Sequence, residues 1–165
     1  PCKSMEFIQK VADEVIKSGQ SRIEWITPSG FPVVQEYRRN DCERVNTKLL
    51  GQRVRTHLLK PFEERQIDLN KAKTAASPNL IHSLDAALLH LVFAEWSDPF
   101  TVIHDCVLGR SCDMDKMGEA IRDKFVQIYS EPVLKNWAAQ LNADFDESVM
   151  QNTLEMTLTK CMLMK

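Results

Sequence analysis

Residues 100 to 109 read Phe-Thr-Val-Ile-His-Asp-Cys-Val-Leu-Gly, an apolar, β-prone run that two ionisable residues interrupt before it resumes. Phe100, Val102 and Ile103 have the composition of a buried strand, and Val107-Leu108 before Gly109 that of its return. His104 and Asp105 then fall at the bend. A carboxylate enclosed by apolar residues is costly unless a cation or several donors meet it, so Asp105 points to a divalent metal or a cationic ligand. A plainer reading stays open on spacing alone, in which both side chains are merely solvated in a loop.

With 165 residues and 44% hydrophobic composition, the chain is long enough for one domain burying roughly 70% of its unfolded surface. Residue 1 is a proline and a helix-like segment begins almost at once, so a fragment or processed product is expected. The first residues lack a charged start followed by an apolar core, and no run approaches the ~18 apolar residues of a membrane span. A cytoplasmic protein without a membrane partner is the expectation. Five cysteines (2, 42, 106, 112 and 161), an odd number without a Cys-x-x-Cys pair, read as reduced thiols. The histidines at 57, 82, 90 and 104 lack zinc-ligand spacing.

The formal charge of −2 is unevenly spread. Between Arg38 and Lys60, seven cations (Arg38, Arg39, Arg44, Lys48, Arg53, Arg55 and Lys60) face two anions (Asp41 and Glu43), a local +5 that leaves about −7 elsewhere. A basic block in an acidic chain is the pattern of a segment that touches phosphates, although a solvated surface hairpin fits it equally. From Arg44 to Leu59 two β-compatible arms flank Gly51, and Arg53-Val54-Arg55 alternates so that both guanidiniums share a face. A two-stranded ribbon fits the DNA major groove and arginine pairs with guanine O6 and N7. Arg44, Asn46, Arg53 and Arg55 are therefore candidate base readers, with an ordinary solvated ribbon as the alternative.

Elsewhere, Ser4 is positioned to cap a helix with Ile8, Val11 and Val15 on its core face, ended by Ser18-Gly19. Ile23 to Ile26 alternates as a half-buried strand, Pro28-Ser29-Gly30 supplies a turn, and Phe31 to Tyr37 returns. Residues 61 to 76 show no clear period and suit a connector. Ser77-Pro78-Asn79 reads as a helix start, with Ile81, Leu84, Leu88 and Leu91 on the apolar side as far as Trp96. His82 and Asp85 lie three apart on the polar side of its first turns, close enough to share a ligand or to form a local hydrogen-bonded cap. Asp113 or Asp115 caps a further helix bearing Met117, Ile121, Phe125 and Ile128; Glu131-Pro132 breaks it, and Val133, Leu134, Trp137 and Leu141 form a short amphipathic one.

Three stretches, in this order, carry a family resemblance: Trp25 to Val33 (Trp-Ile-Thr-Pro-Ser-Gly-Phe-Pro-Val) with Gln35 and Tyr37, Pro78 to Asp85 (Pro-Asn-Leu-Ile-His-Ser-Leu-Asp), and Val102 to Cys106 (Val-Ile-His-Asp-Cys). Together they resemble the carboxy-terminal part of the single-subunit DNA-directed RNA polymerases of bacteriophages and mitochondria, over residues 5 to 142. The first is similar to the Thr-Pro-x-Gly-x-Pro-Val start of the promoter specificity loop, the second to the Pro-Asn-x-x-His-Ser-x-Asp motif, and the third to the palm His-Asp-Ser/Cys motif. The resemblance implies that Asp105 is one of two aspartates holding two magnesium ions for nucleotidyl transfer. It also implies that His104 contacts the primer end, that His82, Ser83 and Asp85 line the minor groove of the template–product duplex, and that the ribbon over residues 38–60 reads a promoter. The implied partners are DNA template and promoter, RNA product, ribonucleoside triphosphates and the rest of the polymerase chain, in the host cytoplasm if phage-encoded.

The chain also departs from that pattern. The upstream aspartate motif and the lysine-tyrosine helix that binds incoming nucleotide do not occur, and Ala87-Leu88 stand where the family usually has Ser-His. Residues 145–165 do not resemble the family's tail. One carboxylate does not build a two-metal site, so the isolated chain is expected to be inactive. The expected architecture is α+β, mainly helical, with a small antiparallel palm hairpin carrying His104 and Asp105 within residues 77–142, a projecting basic ribbon, and some apolar faces uncovered as in a partial domain. Two alternatives remain: a non-catalytic nucleic-acid-binding module, and the palm of a related DNA polymerase, where a glutamate usually follows the aspartate but Cys106 stands here.

Overall fold

The computed structural model describes residues 3–143; the expectation about residues 145–165 lies outside them. Helix α1 (Lys3–Lys17) turns Phe7, Ile8, Val11, Ala12, Val15 and Ile16 inward, the three-and-four spacing that gives one apolar face. Ser4 falls in its first turn, one residue inside the described start of the helix. The helix stops where the Ser18 hydroxyl donates to the Val15 carbonyl (2.7 Å) and Gly19 takes φ +97°, a left-handed conformation that a side chain would oppose.

A hairpin of β1 (Ile23–Ile26) and β2 (Pro32–Gln35) follows, pairing Trp25 with Val33. Strand alternation sends Ile23 and Trp25 inward and leaves Glu24 and Ile26 outside. The chain then forms a longer ribbon, β3 (Cys42–Leu49) and β4 (Gln52–Leu59), and a 3-10 turn at Phe62–Glu64.

Helix α2 (Leu69–Phe93) corrects the sequence reading at both ends. It begins within the stretch expected to be a connector, capped by the Asp68 carboxylate, which accepts from the Lys71 N–H at 3.0 Å, and it ends before Trp96. Pro78 is therefore internal and does not open the helix. The alanines of 72–76 are strong helix formers, and Ala72 and Ala76 bury against α1, an anchorage that outweighs the hydrogen bond Pro78 cannot donate. Pro78 and Thr74, whose carbonyl loses that bond, lie on the exposed side, where water replaces it. Pro78→Ala is expected to raise stability by about 1–3 kcal/mol in urea denaturation; a fall would mean that the proline's bend is needed to seat α2 on α1. The buried face of α2 is Ala72, Ala76, Leu80, Leu84, Ala87 and Val92, whereas Ile81 is half exposed.

A third hairpin, β5 (Phe100–Ile103) with β6 (Cys106–Gly109), precedes α3 (Met114–Ser130) and α4 (Val133–Gln140). Asp113 stands at the amino end of α3 but makes no capping bond, because its carboxylate is taken by Arg110. Met117 and Ile128 are buried, while Ile121 and Phe125 are only partly covered. Gly109 has a packing reason to be glycine: a Cβ there would stand 2.9 Å from Cε of Met117.

The core joins α1, the inner face of β1, the alanine side of α2, and Trp137 and Ala138 of α4. Trp25 and Trp137 meet edge to face at 6.4 Å. The Gln140 side chain accepts from the Ile26 N–H at 2.7 Å and donates back to the Ile26 carbonyl at 3.2 Å, closing α4 onto the edge of β1. The architecture is α+β, with three separate two-stranded antiparallel sheets among the described residues.

Candidate nucleic-acid interface

The register of the long ribbon decides what it presents. Arg44 pairs with His57, Asn46 with Arg55, and Lys48 with Arg53. These residues are two apart on each strand, so all six side chains share one face, and the four candidate base readers stand together on it. The opposite face carries Val45, Thr47 and Leu49 against Thr56, Val54 and Gln52. Like charges directly opposed, as in Lys48 and Arg53, repel. Among the described residues none of Arg44, Lys48, Arg53 and Arg55 has an ion-pair partner, so the face holds unneutralised positive charge. At the tip, Leu50 and Gly51 both take positive φ (49° and 81°), as a two-residue hairpin turn requires.

The root of the ribbon is clamped. Arg38 donates to the carbonyls of Glu63 and Arg65, both at 3.0 Å, and pairs with Glu36 at 2.6 Å. Asp41 accepts from the Gln66 N–H at 2.9 Å, and Arg65 donates to the Lys60 carbonyl at 2.7 Å. The Phe62 ring receives the guanidiniums of Arg38 and Arg65 at 5.2 and 5.7 Å. Arg38, counted in the basic block, thus serves the fold.

The first two motifs meet in space. The Asn79 amide donates to Gln35 Oε1 (2.8 Å) and to the Tyr37 hydroxyl (3.1 Å), and the buried Gln35 donates onward to the Ala72 carbonyl (2.7 Å). Trp25 Nε1 donates to Ser83 Oγ at 3.1 Å, and that hydroxyl donates to the Leu80 carbonyl at 2.7 Å. A buried polar atom without a partner costs about 1–3 kcal/mol, and this chain of bonds spares Gln35 that cost. Sequence reasoning quoted Gln35, Tyr37 and Trp25 without giving them work. The available signal was a glutamine at an inward position of an alternating strand.

Beside this seam lies a groove of about 290 Å³, lined by Thr27, Phe31 and Val33 from the first motif and by Asn79, His82, Ser83, Ala86, Ala87 and His90 from α2. His82 is exposed at it. Asp85 does not line it and stands towards α3, where its charge adds to the burial that pushes the Tyr129 phenol above its ordinary value. His82 and Asp85 lie mid-helix, a correction to their expected place in the first turns.

The β5–β6 hairpin puts His104 and Asp105 at its apex. His104 takes φ +56°, a left-handed conformation uncommon outside glycine in which histidine, asparagine and aspartate are the enriched exceptions. The enclosing apolar strand expected from the sequence is not formed: Phe100, Ile103 and Leu108 are 41%, 58% and 52% exposed, and Asp105 is exposed too. A two-stranded hairpin has no sheet neighbour to cover its faces, and Phe100 finds cover only by stacking on Phe93, ring centres 4.1 Å apart. The Cys106 thiol stands 3.9 Å from Asp105 Oδ1.

At the hairpin base, Arg110 joins Asp113 (2.6 Å) and Asp98 (2.7 Å), with Lys116 also on Asp98 (3.3 Å). The hydrogen bond from Arg110 holds the Asp113 carboxyl below the ordinary carboxylate value. Among the described residues no three His, Cys, Asp or Glu side chains converge to hold a metal. Magnesium requires near-octahedral oxygen ligation, and Asp105 offers one carboxylate, so these residues do not make a magnesium site by themselves.

The chain matches the family model for DNA-dependent RNA polymerase over residues 2–164, and it belongs to that family, in its single-subunit form. It is 33% identical over 150 residues to the mitochondrial DNA-directed RNA polymerase of Neurospora crassa, which covers 87% of this chain and 10% of that protein. It is 33% identical over 135 residues to DNA-directed RNA polymerase 2, chloroplastic/mitochondrial, of Arabidopsis thaliana (80% and 13%), and 32% identical over 125 residues to DNA-directed RNA polymerase 2A of Nicotiana tabacum (74% and 36%). The chain thus spans about a tenth of the first two relatives. The organellar names lend no support to the bacteriophage and cytoplasmic expectations. No described helix is long and apolar enough to cross a membrane.

Proposed function

We propose that this chain is the carboxy-terminal palm and specificity-loop portion of a DNA-directed RNA polymerase, working in a mitochondrion or plastid as its relatives are named. The observation that carries this reading is the single face of the ribbon where Arg44, Asn46, Arg53 and Arg55 stand together without anionic partners. Such a face suits a DNA major groove, where guanidiniums pair with guanine edges and the remaining cations meet phosphates. His82 contacts the template–RNA duplex; its lining of the groove beside α2 supports this reading. Ser83 holds Trp25 and supports that surface from behind.

Asp105 contributes one oxygen ligand to a magnesium site completed by residues outside those described, and His104 stands beside it for the growing RNA end. In the complete enzyme, magnesium supplies charge neutralisation for nucleotidyl transfer from ribonucleoside triphosphates. What this chain's residues do is hold a carboxylate at a two-residue hairpin bend, without an ion-pair partner among the described residues. The isolated chain does not synthesise RNA.

Arg53→Ala or Arg55→Ala in the full-length polymerase tests the ribbon. Each is expected to weaken promoter binding by about 1–3 kcal/mol and to relax preference at one base position, measured by competition binding against a set of single-base promoter variants. Equal weakening on every sequence marks the residue as a phosphate contact; no weakening at either position refutes DNA reading by this face.

A further inference from the structure

We propose that Leu50 is an apolar wedge that the ribbon drives against stacked base pairs, locally unstacking a duplex. The proposal rests on the reading of the ribbon as a nucleic-acid-binding element. Leu50 is 98% exposed, so it contributes no packing, and Leu49 beside it is 64% exposed. It also occupies a left-handed turn position, φ +49°, where asparagine or glycine is the unstrained choice and leucine costs on the order of 1–2 kcal/mol. The turn therefore carries a residue that the fold itself disfavours twice, in backbone and in solvation.

Its surroundings indicate the ligand. Immediately behind the tip the opposed pair Lys48 and Arg53 repel each other, and Arg55 follows on the same face. An anion lying along this face relieves that repulsion, and a polyanion does so on the whole length of it. A side chain projecting beyond phosphate-binding cations meets bases, and an inserted aliphatic residue partly unstacks a base step without needing a particular sequence. A protein partner apolar enough to bury Leu50 would also have to desolvate these cations, which the charge pattern disfavours.

The test uses the full-length polymerase on duplex DNA carrying 2-aminopurine at successive steps of its footprint. Wild-type protein is expected to raise fluorescence at one step. Leu50→Asn, which suits the turn and so preserves the hairpin, is expected to lose that rise while DNA affinity and its salt dependence stay as in wild type; Leu50→Phe is expected to keep it. A rise that persists in Leu50→Asn, or no rise with wild type, overturns the wedge. The double variant Lys48→Ala/Arg53→Ala separates the two readings. If it weakens binding and lowers the salt slope by about 1, as Lys48 on a phosphate and Arg53 on a base edge require, while Leu50→Asn leaves the fluorescence unchanged, the ribbon reading stands and the wedge fails; if it changes neither affinity nor slope, both fail.

Discussion

Replacing Asp105 with alanine in the full-length polymerase is expected to abolish RNA synthesis, by about 10³-fold or more, and to leave promoter binding nearly intact. A metal-binding carboxylate supports several kcal/mol of transition-state charge, and each ~1.4 kcal/mol is a factor of ten in rate. The side chain sits exposed at the apex of β5–β6, so its removal is expected to leave the fold undisturbed and the loss to be chemical. Asp105→Asn, which keeps the shape and removes the charge, is expected to fail to the same degree. Single-turnover extension of an RNA primer with Mg²⁺, alongside filter binding of promoter DNA, measures both quantities. Synthesis surviving at near wild-type rate would refute the catalytic assignment and favour a non-catalytic nucleic-acid-binding module.

The largest expected effect on stability belongs to Trp25. It is 4% exposed, meets Trp137 edge to face, and spends its indole N–H on Ser83. Trp25→Ala leaves a cavity where α1, α2 and α4 meet β1 and takes from Ser83 Oγ its indole donor, though the hydroxyl keeps its bond to the Leu80 carbonyl, at a cost of about 3–5 kcal/mol in urea denaturation followed by far-UV circular dichroism. Trp25→Phe keeps most of the volume, gives up the donor, and is expected to cost about 1–2 kcal/mol. A loss below about 1 kcal/mol for the alanine variant would show that these elements do not share one core at this residue.

Much of this fold was legible in local chemistry. The face of α1, the alternation of Ile23 to Ile26 and the two arms around Gly51 follow from periodicity and turn residues, because each element buries a single face. Two features were not. The start of α2 was hidden by Pro78, whose usual meaning as a helix opener is overridden by buried Ala72 and Ala76, whose anchorage on α1 is tertiary and leaves no local signal. The exposure of Phe100, Ile103 and Leu108 was hidden because apolar composition does not say whether a neighbouring strand exists to cover it. In the site, alternation gave Arg53 and Arg55 a common face, but only the pairing of Asn46 with Arg55 and Lys48 with Arg53 brought the two strands' residues together. That His82 lines the groove while Asp85 does not depends on what packs beside α2, which three-residue spacing does not encode.

The amide of Asn79 ties α2 to the strand and loop that lead into the ribbon, and the clamp around Phe62 stiffens its base. Eight residues of strand give the ribbon a reach of roughly 26 Å, so a tilt of about 5° where Asn79 grips would swing the far end by about 2 Å, most of the width of a hydrogen bond. The same helix carries His82, so the arm and the helix surface behave as two ends of one lever: whatever displaces α2 redirects the fingertip at the other end of it.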